Sequence, residues 1–220
     1  MDPGPLWLTL RLSLVTTAAL LVIGVPLAVA LARARPFLRY PLHALVNLPL
    51  VLPPTVLGFY LLILFSPLSL PGRLLESAGL SLAFSFPGLV IGSVLFSLPF
   101  MVNPVLSGLE SLPPSLTEAA YVLGKSRRET FLRVVLPNIK PSLLAGAVLT
   151  FAHTVGEFGV VLMIGGKIPG VTKVASIAIY DEVESLRFGA AHAYSAVLCL
   201  LSFGALLGLF LLNRRAPKAF

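Results

Sequence analysis

The chain has 220 residues, 57% of them hydrophobic and only 11% charged, with a net charge of +7. So apolar a composition excludes an ordinary soluble domain. A single cysteine, Cys199, excludes a disulfide framework, and His43, His153 and His192 share no metal-ligand spacing.

Apolar runs of about 20 residues, the length that crosses a bilayer, predict five spans. They cover about 8–32, 44–67, 84–108, 141–165 and 190–212. The first is too long for a signal-peptide core, lacks a small-residue cleavage site, and reads as a retained span. The second holds Pro49, Pro53 and Pro54 and is expected to be broken, or preceded by a short interfacial piece. The third carries Pro99 and Asn103. Broken membrane helices often line binding sites, because freed backbone groups need a polar cavity. Asn103 and Thr55 are therefore candidates for lining a pathway, the ordinary alternative being packing kinks.

Between the third and fourth spans lies Ser115–Pro137, SLTEAAYVLGKSRRETFLRVVLP, fenced by Pro113 and Pro114 before it and by Pro137 and Pro141 at its end. Ser115 with Glu118, and Ser126 with Glu129, have capping-box spacing and predict two helix starts. Gly124 falls where the first short helix must stop, in the left-handed conformation common at helix C-termini. The expected object is a helix–glycine turn–helix at one membrane surface, and it reads as a docking element. Glu118 either caps its own helix or meets a partner's groove. Ala119 and Ala120 either permit close approach or simply favour helix. Lys125, Arg127 and Arg128 suit acidic lipid headgroups as readily as a protein.

In the fourth span, Gly146 with Ala145 and Ala147 offers close helix contact. Glu157 is the unusual residue. It falls roughly 24 Å along from residue 141, beyond the midplane, at about 1.5 Å per residue. A charge there is costly and should face protein interior or water. His153, four residues earlier on the same helix face, is its expected partner. Glu157, Phe158 and Gly159 are candidates for shaping the outer pathway or its gate; the alternative is a buried structural hydrogen bonder. The stretch Gly166–Gly189 carries Asp181, Glu182 and Glu184, either a dock for a basic partner or a solvated loop.

Charge placement gives orientation. Arg33, Arg35 and Arg39 follow the first span, Lys125, Arg127, Arg128, Arg133 and Lys140 sit in the long loop, and Arg214, Arg215 and Lys218 follow the last. Eleven of the sixteen basic residues thus share one side, which the positive-inside rule makes cytoplasmic. Five spans then put the N-terminus outside and the C-terminus inside. The basic excess is accounted for by topology, so no nucleic-acid partner is implied. No Walker-type phosphate loop is present, so this chain is not expected to be an enzyme.

The run Glu118-Ala119-Ala120, then Gly124, then Val134-Val135-Leu136-Pro137 resembles the EAA loop of permease subunits in ABC importers, with Val134 where isoleucine is usual. Asn47–Tyr60, NLPLVLPPTVLGFY, resembles a segment of molybdate permeases. Phe151–Val160, FAHTVGEFGV, resembles a stretch shared by molybdate and sulfate/thiosulfate permeases, with His153 where arginine is common. Lys167-Ile168-Pro169-Gly170, with Ala178-Ile179-Tyr180 beyond, is closer to the molybdate branch. The likeness runs from about residue 8 to 212.

The resemblance implies an all-α membrane protein of about five transmembrane helices with a cytoplasmic coupling-helix loop. Residues 1–220 form a single permease domain with the EAA loop, 115–137, inside it. Glu118, Ala119, Ala120, Gly124 and Pro137 would couple it to an ABC ATPase present in two copies, which uses ATP and magnesium; this chain binds no cofactor. A homodimer, a substrate-binding protein at the outer face and membrane lipid are the other expected partners. The expected cargo is molybdate or tungstate, carried by alternating access. A carboxylate is a poor ligand for a dianion, so Glu157 is not expected to touch the cargo. The rival readings are a sulfate/thiosulfate or other ABC permease, a proton-coupled secondary transporter using Glu157 and His153, and a membrane scaffold.

Overall fold

The computed structural model describes residues 1–213; Arg214, Arg215 and Lys218 of the basic set lie outside them. The described residues form helices joined by turns, with no strand among them. In chain order they are α1 (Gly4–Arg33), α2 (Pro36–Val51), α3 (Pro54–Phe65), α4 (Leu70–Ser77), α5 (Phe86–Glu110) and α6 (Pro114–Val122). There follow α7 (Arg127–Thr130), a π-helical turn (Phe131–Val135), α8 (Leu136–Asn138), α9 (Lys140–Val155), α10 (Gly159–Gly165), α11 (Ala175–Glu184) and α12 (Phe188–Asn213).

Helices α1, α5 and α12 are each long and apolar enough to cross a membrane, and five crossings result if each of two bent pairs counts as one. The expected second span, 44–67, is not a single rod. Leu52 and Pro53 are extended, and α2 meets α3 at a bend of 109°. Two adjacent prolines remove two backbone donors and push the preceding residue out of helical conformation, which accounts for the break. The expected fourth span, 141–165, is also interrupted, between Val155 and Gly159.

Helices α1, α5 and α9 pack against one another as the centre of the bundle. Met101 is fully buried where they meet. A Cβ placed on Gly24 would lie 2.9 Å from its Cγ, and one on Gly146 would lie 3.0 Å from its sulfur and 3.1 Å from its carbonyl oxygen. Gly146 therefore serves the close contact its sequence suggests, as small residues do between membrane helices.

The interior divides into two apolar cores. One gathers Leu20, Ala28, Met101, Val105, Val135 and Ile139, toward the loop that carries α6–α8. The other gathers Leu8, Leu12, Leu61, Leu89, Ile164 and Ile177, at the opposite end. Between them runs a buried polar waist: Ser13 and Thr16 of α1, Ser93 and Ser97 of α5, Thr150 and Thr154 of α9, and Glu157. Helix α12 lies on the outside against α9 and α11 and exposes Leu200, Phe203 and Phe210, as a lipid-facing helix should.

Candidate functional site

The loop folds as a helix, a glycine turn and a second helix. Pro113 and Pro114 start α6, since a proline in the first turn needs no donor and has its φ already set. The helix therefore begins before Ser115, which sits inside the first turn and caps nothing. The expected Ser115–Glu118 capping box is not formed. Glu118 is exposed and has no side-chain partner among the described residues, so its carboxylate is free to meet another chain.

Gly124, at φ +75°, ends α6 in a Schellman arrangement. Its own N–H donates to Tyr121 O at 2.9 Å, and the Lys125 N–H donates to Ala120 O at 3.0 Å. The second expected start holds: Ser126 Oγ accepts from the Glu129 N–H at 3.2 Å. The Glu129 carboxylate does not reach back to complete the box. It takes Lys125 at 2.8 Å and Arg133 at 3.2 Å instead. The hydrogen bond from Lys125 holds its carboxyl below the ordinary range.

Pro137 does not end the second helix but lies within it. A proline has no N–H for the carbonyl four residues back, and its ring crowds that carbonyl. Here the chain widens into the π turn just before it, where the Leu136 N–H bonds to Phe131 O. The rod from Arg127 to Asn138 then bends by 69° into α9.

On α6, Ala120 is buried while Ala119 is exposed. Val122 and Leu123 are 88% and 77% exposed, and Leu116 and Tyr121 are also open. Leu116, Ala119 and Leu123 follow helical spacing and form an apolar stripe pointing away from the bundle.

At the other end the two helix breaks meet. A Cβ on Gly159 would sit 2.8 Å from Pro54 Cβ and 3.3 Å from the Thr55 nitrogen. One on Gly58 would sit 2.7 Å from Met163 Cβ, so α3 and α10 pack nearly backbone to backbone. Thr55, Glu157, Phe158 and Gly159 are thus brought together. Glu157 is only 4% exposed, and neither carboxylate oxygen has a partner among the described residues. Its backbone carbonyl accepts from Ser176 Oγ at 2.6 Å, which ties the break to α11.

The expected His153–Glu157 pair does not form. Helix α9 stops at Val155, so the two residues do not share a helical face. His153 instead stacks on Phe100 at 4.0 Å and places Nδ1 2.9 Å from Ser97 Oγ.

Asn103 lies apart from this group, six residues beyond Ser97 of the polar waist on α5, or roughly 9 Å. Its Nδ2 donates to Asn47 Oδ1 at 2.7 Å, and its Oδ1 lies 3.3 Å from His43 Nε2. With Leu106, Ser107 and Glu110 these residues line a cavity of about 300 Å³, and Glu110 pairs with Arg39 at its edge. Sequence reading missed His43 and Asn47. Their spacing of four in the otherwise apolar stretch 41–51 was the available signal.

The acidic group Asp181, Glu182 and Glu184 is not free. Asp181 pairs with Lys167 at 2.7 Å and Lys173 at 2.6 Å, Glu184 with Lys167 at 3.1 Å, and Glu182 with Arg187 at 2.5 Å. Burial pushes the Asp181 carboxyl up, but hydrogen bonds from Lys167 and Lys173 outweigh it and leave it depressed. Arg187 lowers Glu182, while Tyr180 and then Lys167 lower Glu184. Depressed carboxyls bind fewer protons folded than unfolded, so their contribution is complete above the unfolded values of about 4 and is lost as pH falls through the folded ones. The thermal stability of wild type over Asp181→Asn is therefore expected to shrink between pH 7 and pH 3. An advantage that grew on acidification would contradict these pairs.

The family model for the binding-protein-dependent transport system inner membrane component matches residues 24–217. The chain belongs to that family. As a permease it is 46% identical over 210 residues to the molybdenum transport system permease protein ModB of Azotobacter vinelandii, covering 95% of this chain and 93% of that one. It is 37% identical over 192 residues to the sulfate transport system permease protein CysT of Salmonella typhimurium, covering 87% and 68%. The permease fold superposes on a bacterial ABC transporter involved in import of the polysaccharide alginate with TM-score 0.76, at 18% identity, covering 99% and 82%. It superposes on the inward-facing MetNI methionine ABC transporter with TM-score 0.72, at 20% identity, covering 96% and 93%. The permease is therefore a multi-pass membrane protein of an ABC transport system.

Proposed function

We propose that the permease carries molybdate, and the near-isosteric dianion tungstate, inward across the cell membrane. The observation that carries this reading is the 46% identity to a molybdenum permease over 95% of the chain. A sulfate permease is the second reading, supported by the 37% identity to CysT. The exposed stripe on α6 fits a cleft in a separate ATPase, with Glu118 at its side. Two copies of the chain would engage two ATPases, and the open apolar face of α2 and α3 (Leu45, Leu48, Val51, Phe59, Tyr60, Ile63) suits a second copy. The basic residues gathered around α6–α8 support a cytoplasmic position for that end, with the N-terminus outside and the C-terminus inside.

A substrate-binding protein delivers the oxyanion to the outer face. Closure of the ATPase pair, driven by ATP with magnesium in that partner, draws the two α6 helices together. The rods Arg127–Asn138 and their 69° junctions with α9 pass this motion into the bundle. The paired breaks at Thr55 and Glu157–Gly159 act as the outer gate, and the His43–Asn47–Asn103 cavity lies on the inner part of the route. The outer carboxylates are already paired within the chain, so they offer little to a basic partner.

Uptake by vesicles containing the whole importer tests the cargo. Glu157→Gln is expected to reduce molybdate uptake at least 10-fold, because a buried, unpaired carboxylate at the gate cannot be replaced without changing how the site opens. Unchanged uptake and unchanged coupled ATP hydrolysis in that variant would remove Glu157 from the gate.

A further inference from the structure

The end of α1 and the start of α7 enclose a groove of about 380 Å³ lined by Val25, Pro26, Val29, Phe131 and three arginines, Arg33, Arg127 and Arg128. None of the three guanidinium groups has an acidic partner among the described residues, whereas Arg39, Arg133 and Arg187 each have one. Three unpaired like charges around an apolar floor repel one another unless an anion lies between them.

The groove is also continuous with the membrane-facing side of α1. Val15 and Val22 stand exposed along that side, Val22 by 74%, and at helical spacing the stripe runs on through Pro26 and Val29 to Arg33. An apolar track ending in a cluster of cations matches a phospholipid, whose acyl chains follow the track while its phosphate meets the cations. A soluble anion would use the arginines but leave the track without a role. An acidic protein surface would not need a track on a helix inside the bilayer.

We propose that this groove binds the anionic headgroup of a phospholipid in the cytoplasmic leaflet. Val29, Arg33 and Phe131 also line a neighbouring cavity of about 270 Å³ that reaches Pro113, Pro114 and Thr117 at the start of α6. A lipid held in the groove therefore braces the first turn of the helix that meets the ATPase. Anionic lipid sets how firmly the two are coupled.

The test uses the complete importer in nanodiscs of phosphatidylglycerol or phosphatidylcholine. A reporter permease carries Trp7→Phe and Val29→Trp, leaving one tryptophan in the groove. Brominated phosphatidylglycerol is expected to quench it at lower mole fraction than brominated phosphatidylcholine. Replacing Arg33, Arg127 and Arg128 with glutamine should weaken that preference roughly 100-fold, from three cations each contributing near the membrane surface. Replacing them with lysine should largely retain it. Native mass spectrometry of retained lipid, on permease without the reporter changes, gives the same comparison.

A preference unchanged in the glutamine variant would overturn the proposal. So would an equal loss from Lys125→Gln with Lys140→Gln, since the attraction would then be diffuse. If the glutamine variant lost ATPase association relative to wild type with both in phosphatidylcholine, where no anionic lipid is present, the proposal would also be overturned, because the arginines would then be protein contacts. Addition of inorganic phosphate should leave the quenching unchanged; displacement by it would make the site one for a soluble anion.

Discussion

Changing Val122 and Leu123 together to aspartate is expected to leave the permease folded and inserted, yet to abolish coupled ATP hydrolysis. Both side chains are almost entirely exposed in the isolated chain and contribute to neither apolar core. Their replacement therefore removes no internal packing. At an interface the same positions become central apolar anchors, and burying a carboxylate there adds an unpaired charge. Two anchors at about 2 kcal/mol each would weaken association roughly 1000-fold. Co-elution of permease and ATPase on size exclusion, at protein concentrations near the wild-type dissociation constant, checks this. A double variant that still co-elutes and still couples would show that α6 is not the contact.

The second large effect concerns the bundle itself. Gly146→Leu puts a branched side chain where Met101 already stands, with both the Met101 sulfur and its carbonyl oxygen about 3 Å from a new Cβ. The sulfur can shift, but the carbonyl is part of α5 and cannot move without moving the helix. Overpacking of well-filled interiors costs about 1–3 kcal/mol, occasionally more, and the rigid neighbour here favours the upper end. Against a folding stability of about 5–15 kcal/mol, most of the purified variant should unfold well below the wild-type temperature. Adding Met101→Ala should recover part of the loss, because the freed volume lies beside the new side chain. A Gly146→Leu protein as stable as wild type would mean that α5 and α9 are not in close contact.

Much of this architecture is legible in the chain. Apolar run lengths locate the membrane helices, and Gly124 marks the turn because only a residue without a Cβ takes that conformation at no cost. Pro53 and Pro54 mark the break in the second span, though not its angle of 109°. What escaped depends on neighbours distant in sequence. Ser115 has capping spacing, but the proline before it already starts the helix. His153 and Glu157 have helical spacing, but α9 stops between them and Ser97 and Phe100 of α5 take the histidine. Asp181, Glu182 and Glu184 look like an open acidic patch until Lys167, Lys173 and Arg187 fold onto them. The small helices α4 and α11 lie in stretches that read as loop, since neither has the length of a span. The helix–glycine turn–helix was readable because its signals are local; the meeting of Thr55 with Glu157–Gly159 was only partly readable because two separate breaks compose it.

On the proposed function, this chain is the membrane path of a molybdate importer driven by a separate ATPase. The most direct measurement is ATP hydrolysis by the permease reconstituted with its ATPase and substrate-binding protein, with molybdate, tungstate or sulfate supplied in turn. Stimulation by molybdate and tungstate but not by sulfate is the predicted result. Stimulation by sulfate alone would contradict the cargo, and failure of the folded permease to associate with any ATPase would contradict the coupling mechanism.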